Sequence, residues 1–187
     1  LQSWWVCEKL LQRKRILFWV IGNQAVGAGH IYRSLTLAHE LTDHEVIFAA
    51  DTESQLAIDE LSGSGYQLLT LSRSDLVNEM IDLRPDLVVL DILDTDSELV
   101  VRFRDAGVKV MSFEDLGEGS QHTDLTINEL YDAPQRVGSH YRWGHQYYFV
   151  RDEFNAARQI SLSKKVKGLL LTFGGTDQHD LSKKIFR

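Results

Sequence analysis

The 187 residues carry 27 acidic against 20 basic side chains, a net charge of −7, with 43% hydrophobic and 25% charged residues. That composition belongs to a globular unit long enough to bury a core, and it excludes general disorder. It also argues against a nucleic-acid or anionic-membrane surface, since such surfaces need clustered Lys and Arg. The lone Cys7 rules out an intrachain disulfide and a Cys-rich zinc module.

Along the chain, no apolar run approaches the roughly 20 residues of a membrane span. The first residue is Leu1 and no signal-peptide pattern follows, so the sequence reads as a piece of a longer cytoplasmic protein. After the basic stretch Arg13–Arg15, the apolar run Ile16–Ile21 predicts a strand buried on both faces, the habit of a parallel sheet. A glycine-bearing loop runs from Gly22 to Gly29, and then Ile31, Leu35, Ala38 and Leu41 recur at helical spacing. Strands follow at 46–50, 67–71, 86–90 and 108–113, with helices at 53–61, 75–83 and 97–106 between and beside them. Strands alternating with helices mean right-handed βαβ units, hence an α/β fold with a doubly wound, mostly parallel sheet. Beyond Phe113 the rhythm loosens: 114–143 is loop-rich with a short strand at Leu125–Ile127, and a helix is expected over Glu153–Ile160. Val166–Thr172 reads as another buried strand, followed by a glycine turn and a helix from Asp180, as if a second α/β domain begins there.

Open α/β sheets bind ligands at the carboxyl ends of their strands, where glycines admit close approach and a helix N-terminus favours anions. Gly27-Ala28-Gly29-His30 has this placement. As a dinucleotide fingerprint it is incomplete: Tyr32 stands at the third glycine position, although Asp51 ends the second strand where a ribose-binding acid belongs. His30 opens the helix, where the dipole favours a neutral, base-competent ring; a capping or packing histidine is the other reading. Arg33, one turn on, faces either an anionic ligand or solvent. His39 and His44 are five apart and fail the spacing of a zinc-protease helix, so no metal is expected. Asp91 follows a buried strand much as the acceptor of a receiver domain does, without the residues that normally follow it; ligand contact or loop capping both suit it. Glu114-Asp115 ends the next strand in the same way. In a parallel sheet, Gly27–His30, Asp91 and Glu114-Asp115 converge on one edge.

The string Gly27-x-Gly29-His30-x-x-Arg33-x-Leu35-x-Leu37-Ala38 resembles the loop and helix of the UDP-sugar hydrolases of the pseudaminic acid pathway. Their kin include spore-coat polysaccharide proteins and, more distantly, the UDP-GlcNAc transferase of peptidoglycan synthesis. In family order there follow Asp91, Glu114-Asp115-Leu116, Asn128, Tyr147 to Arg151-x-Glu153-Phe154, and Gly174-Gly175-x-Asp177. The resemblance implies the N-terminal half of a glycosyltransferase B-type fold, with a Rossmann-like sugar-side domain over 16–160 and the start of a nucleotide-binding domain over 161–187. It implies a UDP-sugar substrate, with His30 as the base that activates water and no cofactor. Gly27, Gly29, Arg33, Asp91, Glu114, Asp115 and Asn128 would hold the substrate, and Gly174, Gly175 and Asp177 the diphosphate. Glu114 departs from the two aspartates that many relatives carry there. Residues 1–15, with Trp4-Trp5 and Arg13-Lys14-Arg15, resemble the C-terminal tail of cytidylyltransferases that activate nonulosonic acids, which implies covalent fusion to such a domain. A transferase of the same fold, or a nucleotide-sugar-binding module without turnover, are the competing readings.

Overall fold

The computed structural model describes residues 13–158, 161, 164–173, 177 and 179–186. Seven strands make one sheet: β1 (Arg15–Val20), β2 (Glu45–Asp51), β3 (Gln67–Leu71), β4 (Leu87–Asp91), β5 (Lys109–Phe113), β6 (Leu125–Asn128) and β7 (Tyr141–Trp143). Their order is β3-β2-β1-β4-β5-β6-β7, and every neighbouring pair is parallel. Helices α1 (Gly29–Glu40), α2 (Gln55–Ser62), α3 (Arg73–Asp82) and α4 (Ser97–Asp105) make the first crossovers, and a 3-10 turn at Glu118–His122 stands between β5 and β6. This is the doubly wound α/β sheet that the alternating pattern predicts. The order around β1 follows the dinucleotide-type winding, not that of receiver domains.

A strand presents alternate side chains to opposite faces, so the central strands feed two cores at once. From β1, Ile16, Phe18 and Val20 pack with Ile31 and Ala38 of α1 and Ala57 and Leu61 of α2. Leu17 and Trp19 turn the other way, onto Leu76, Val77 and Met80 of α3 and Val100 and Phe103 of α4. Each wholly buried aromatic or aliphatic side chain contributes about 1.5–3 kcal/mol. Where β1 ends, the packing leaves no slack. A Cβ on Gly22 would lie 2.6 Å from Ile31 Cδ1 and 3.0 Å from the Ala57 amide nitrogen, so only glycine lets α1 and α2 close over the strand exit.

Three expectations need correction. The helix foreseen over Glu153–Ile160 is only α5 (Asp152–Asn155); residues 156–158 leave it, and 159 and 160 lie outside the described residues. Glu153, Phe154, Ala156 and Ala157 are all exposed, and an isolated helix depends on packing to extend beyond a turn. Val166–Thr172 is not a strand: Leu169 and Leu170 are 75% and 86% exposed. A parallel strand exists only through its ladder, and among the described residues no neighbour lies beside this one. Conversely, β7 falls inside the stretch expected to be loop. The helix from Asp180 is the short α6 (Leu181–Ile185). Among the described residues no helix is long and apolar enough to cross a membrane. Apart from Arg13–Arg15, the cytidylyltransferase-like tail lies outside them.

Candidate functional site

From β1 the chain crosses toward β2, and from β4 toward β5, so the loops leaving these neighbours diverge and open a crevice at their carboxyl ends. Val20 and Asp91, the last residues of the two strands, are register partners. The loop after β1 is folded by Asn23, whose carboxamide oxygen accepts from the amides of Ala25 (2.9 Å) and Val26 (3.1 Å). Gly27 closes it with a bridge back to Asn23 at φ 74°, a left-handed conformation natural to glycine. Gly29 then opens α1, and its first turn borders the crevice.

On that helix His30, Arg33 and Ser34 stand at i, i+3 and i+4, the spacing that puts side chains on one face. All three reach Asp91, whose carboxylate is wholly buried. His30 Nδ1 lies 2.6 Å from Oδ1. Arg33 donates from Nε to Oδ2 (3.0 Å) and from a terminal nitrogen to Oδ1 (2.5 Å), and Ser34 Oγ donates to Oδ2 (3.0 Å). An ionised carboxylate only accepts, so the Nδ1 hydrogen belongs to the bond with Asp91. The guanidinium nitrogen 3.2 Å from the same Nδ1 is therefore a close neighbour and not its donor. This tautomer leaves the Nε2 lone pair without a protein partner among the described residues, on a ring that borders the cleft. His30 is thus neither a helix cap nor a core histidine; it is half of an oriented His–Asp pair.

Burial pushes the Asp91 carboxyl up, but the His30 hydrogen bond and the Arg33 charge outweigh it and hold the group below its ordinary range. For Arg33, burial opposes the charge while Asp91 and Glu129 restore it, with a net upward shift. Glu129, at the end of β6, accepts from Arg33 at 2.8 Å; Glu114, at the end of β5, lies 3.8 Å from the same nitrogen. The guanidinium also sits 4.8 Å from the centroid of the Phe113 ring. Glu114 has φ 50°, a strained conformation for a residue with a Cβ, and burial raises its carboxyl despite the amides of Leu130 and Glu129 that donate to it. One oxygen each of Glu114 and Glu129 is buried with no hydrogen-bond partner. Gly29, His30, Arg33, Glu114 and Glu129 line a cleft of about 860 Å³, completed by Tyr32, Leu93, Leu130, Tyr148, Phe149, Arg151 and Phe154 among others.

The remaining expected residues stand behind this lining or apart from it. Asp115 follows β5 at the same sheet edge but accepts from the amide (3.0 Å) and hydroxyl (2.7 Å) of Thr95 and from the Gly117 amide (2.9 Å). Burial raises its carboxyl while those bonds pull the other way. Asn128 accepts from the Asp115 amide at 2.9 Å, joining the ends of β5 and β6. Asp177 accepts from the amides of Leu181 and Ser182 at the start of α6, whereas Gly174 and Gly175 lie outside the described residues. Asp51 accepts at Oδ1 from Ser54 Oγ (2.9 Å) and the Glu53 amide (3.1 Å), which folds the turn before α2. His39 stacks on Tyr66 and His44 accepts from the Lys14 amide, so the two do not converge. Sequence reasoning missed Ser34 and Glu129. Ser34 was detectable as the third polar residue, at i+4, on the His30 face of the helix, and Glu129 as a polar residue at a strand's carboxyl end.

No known protein-family profile matches the chain. It is 25% identical over 181 aligned residues to an uncharacterized protein of Methanocaldococcus jannaschii, covering 88% of this chain and 37% of that protein. It is 28% identical over 180 aligned residues to the UDP-2,4-diacetamido-2,4,6-trideoxy-beta-L-altropyranose hydrolase of Campylobacter jejuni, covering 91% of this chain and 64% of the enzyme. The chain therefore spans under two thirds of either relative, and one of these two distant relatives is named as a UDP-sugar hydrolase.

Proposed function

We propose that this chain is the sugar-side domain of a nucleotide-sugar enzyme that hydrolyses a UDP-activated amino-deoxy sugar and releases UDP. The observation that carries the reading is the His30–Asp91 pair, with Nδ1 bonded at 2.6 Å and Nε2 left for the cleft. The name of the Campylobacter jejuni relative supports the substrate class. In this reading water donates its proton to His30 Nε2 as its oxygen attacks the anomeric carbon. The bond from that carbon to the diphosphate oxygen breaks, and UDP leaves with the electron pair. Asp91 keeps the proton on Nδ1 and stabilises the imidazolium that forms, the part an orienting carboxylate plays in hydrolytic triads. Diphosphate is already a good leaving group, so a positioned base, worth about a hundred- to ten-thousandfold, suffices.

In this proposal Gly27, Gly29 and Glu114 belong to the sugar side, and Arg33, Asp115 and Asn128 support it through Asp91, Glu129 and the ends of β5 and β6. Gly174, Gly175 and Asp177 belong to the diphosphate side of a glycosyltransferase B-type partner domain. Fusion to a cytidylyltransferase is proposed on residues 1–15 alone. In the full-length protein, His30→Ala is expected to lower turnover of a UDP-diacetamido-trideoxy sugar, followed by UDP release, by about a hundredfold or more with KM little changed. Wild-type turnover in that variant, with the fold intact, overturns the assignment.

A further inference from the structure

Two donors meet at one oxygen of Asp91. His30 Nδ1 lies 2.6 Å from Oδ1 and the Arg33 terminal nitrogen 2.5 Å from it, with 3.2 Å between the two nitrogens. A cation so close to the imidazole competes with Nδ1–H for the acceptor and pulls charge away from the base. What restrains it is on the other side of the guanidinium. Glu129 Oε1 accepts from the second terminal nitrogen at 2.8 Å, and its side chain is only 3% exposed. Glu129 is itself fixed, because its amide donates to Glu114 Oε1 at 2.6 Å. The groups facing Arg33 are thus His30 on α1, Asp91 at the end of β4, Glu114 and the Phe113 ring at the end of β5, and Glu129 at the end of β6.

We propose that Glu129 is a positioning residue for the His30 base, acting through Arg33 on Asp91 without touching the reacting atoms. It holds the guanidinium plane so that Nε and one terminal nitrogen engage both Asp91 oxygens while Nδ1–H keeps its own share of Oδ1. Its negative charge offsets the cation beside the ring. The consequence for catalysis rests on the hydrolase reading; the consequence for the imidazole tautomer does not.

The test uses the full-length protein and the near-isosteric Glu129→Gln, with Glu129→Asp as the charge-conserving control. In Glu129→Gln the uncompensated Arg33 charge disfavours imidazolium. Turnover of the UDP-sugar is therefore expected to fall about tenfold with KM within about twofold. Glu129→Asp should restore most of the rate. Nitrogen-15 spectra of the imidazole, assigned by loss of the signal in His30→Ala, should show His30 protonated at Nδ1 in the wild type and a mixture of tautomers in Glu129→Gln. A rise in KM at unchanged kcat would make Glu129 a substrate contact and overturn the proposal. So would unchanged rates together with an unchanged tautomer. If the wild type releases no UDP from any UDP-sugar, the hydrolase reading fails and the spectra alone decide the positioning role.

Discussion

Replacing Asp91 by Asn tests the centre of the site, since it keeps the volume and removes the charge. Asp91 accepts from His30, from two nitrogens of Arg33 and from Ser34, with its side chain wholly buried and that of Arg33 10% exposed. An Asn carboxamide has one acceptor oxygen and one donating nitrogen, and neither orientation serves all these donors. If the oxygen keeps Nδ1–H, the nitrogen meets Arg33 Nε donor against donor, although the Ser34 hydroxyl can turn to accept. If the oxygen turns to Arg33 Nε, the nitrogen faces Nδ1, and the ring moves its hydrogen to Nε2, where the base's lone pair is needed. The second outcome removes the proposed base from service, and a misoriented histidine of this kind costs about ten-thousandfold, or about 5 kcal/mol of barrier. Stability falls too. Breaking a buried pair costs about 3–5 kcal/mol, and the lower end applies because Glu129 still accompanies Arg33. The assays are UDP release by full-length protein at saturating UDP-sugar and urea unfolding of the same preparation. An Asn variant that turns over within about tenfold of wild type while losing under about 1 kcal/mol would refute both the tautomer argument and the burial argument.

Two further outcomes follow from the electrostatics. Because Arg33 is committed to Asp91 and Glu129 and not left for a phosphate, Arg33→Ala should lower kcat by more than tenfold and leave KM within about threefold, and a rise confined to KM would return Arg33 to the anion-binding role. The Glu114 carboxyl is raised chiefly by burial, so its ionised form costs stability that is absent below the unfolded value of about 4.3 and accrues as pH rises through the folded value. Glu114→Gln escapes that cost while an oxygen still accepts from the Glu129 amide, and its advantage in urea midpoint over wild type should grow between pH 4 and pH 8; an advantage that shrinks over that range contradicts the reasoning.

The parallel sheet was legible because each central strand is apolar on both faces, as Leu17 and Phe18 are, and only a doubly covered strand needs that. The convergence of His30 and Asp91 was legible for a topological reason: residues just beyond parallel strands share an edge wherever the strands lie in the order. Their direct pairing was not, since it depends on the β1–β4 register that matches Val20 with Asp91. Arg33 could be read as a ligand's cation from sequence because nothing local reveals its partners; Asp91 is 58 residues away and Glu129 is 96. Asp115 and Asn128 read as substrate contacts for the same reason, whereas the structure gives both of them backbone partners across strand ends. β7 escaped notice because three residues beside a parallel neighbour carry no periodicity of their own. Val166–Thr172 shows the opposite failure, an apolar pattern that names a strand but cannot supply the ladder it pairs with.

The close packing at Gly22 makes the proposed base answerable to the hydrophobic interior. Ile31, the residue after His30, rests its side chain against Gly22, and the Ala57 amide donates to the Gly22 carbonyl at 3.2 Å. The first turn of α1 is thereby clamped between the strand exit and α2, so a methyl group added at that point acts as a wedge beneath the helix. The lever arm is one residue long. A tilt that moves the His30 ring by about 1 Å is enough to cost a reaction about a hundredfold, even when the displaced group lies outside the chemistry. In this architecture the tolerance of the core and the aim of the imidazole are one mechanical property, set where no substrate reaches.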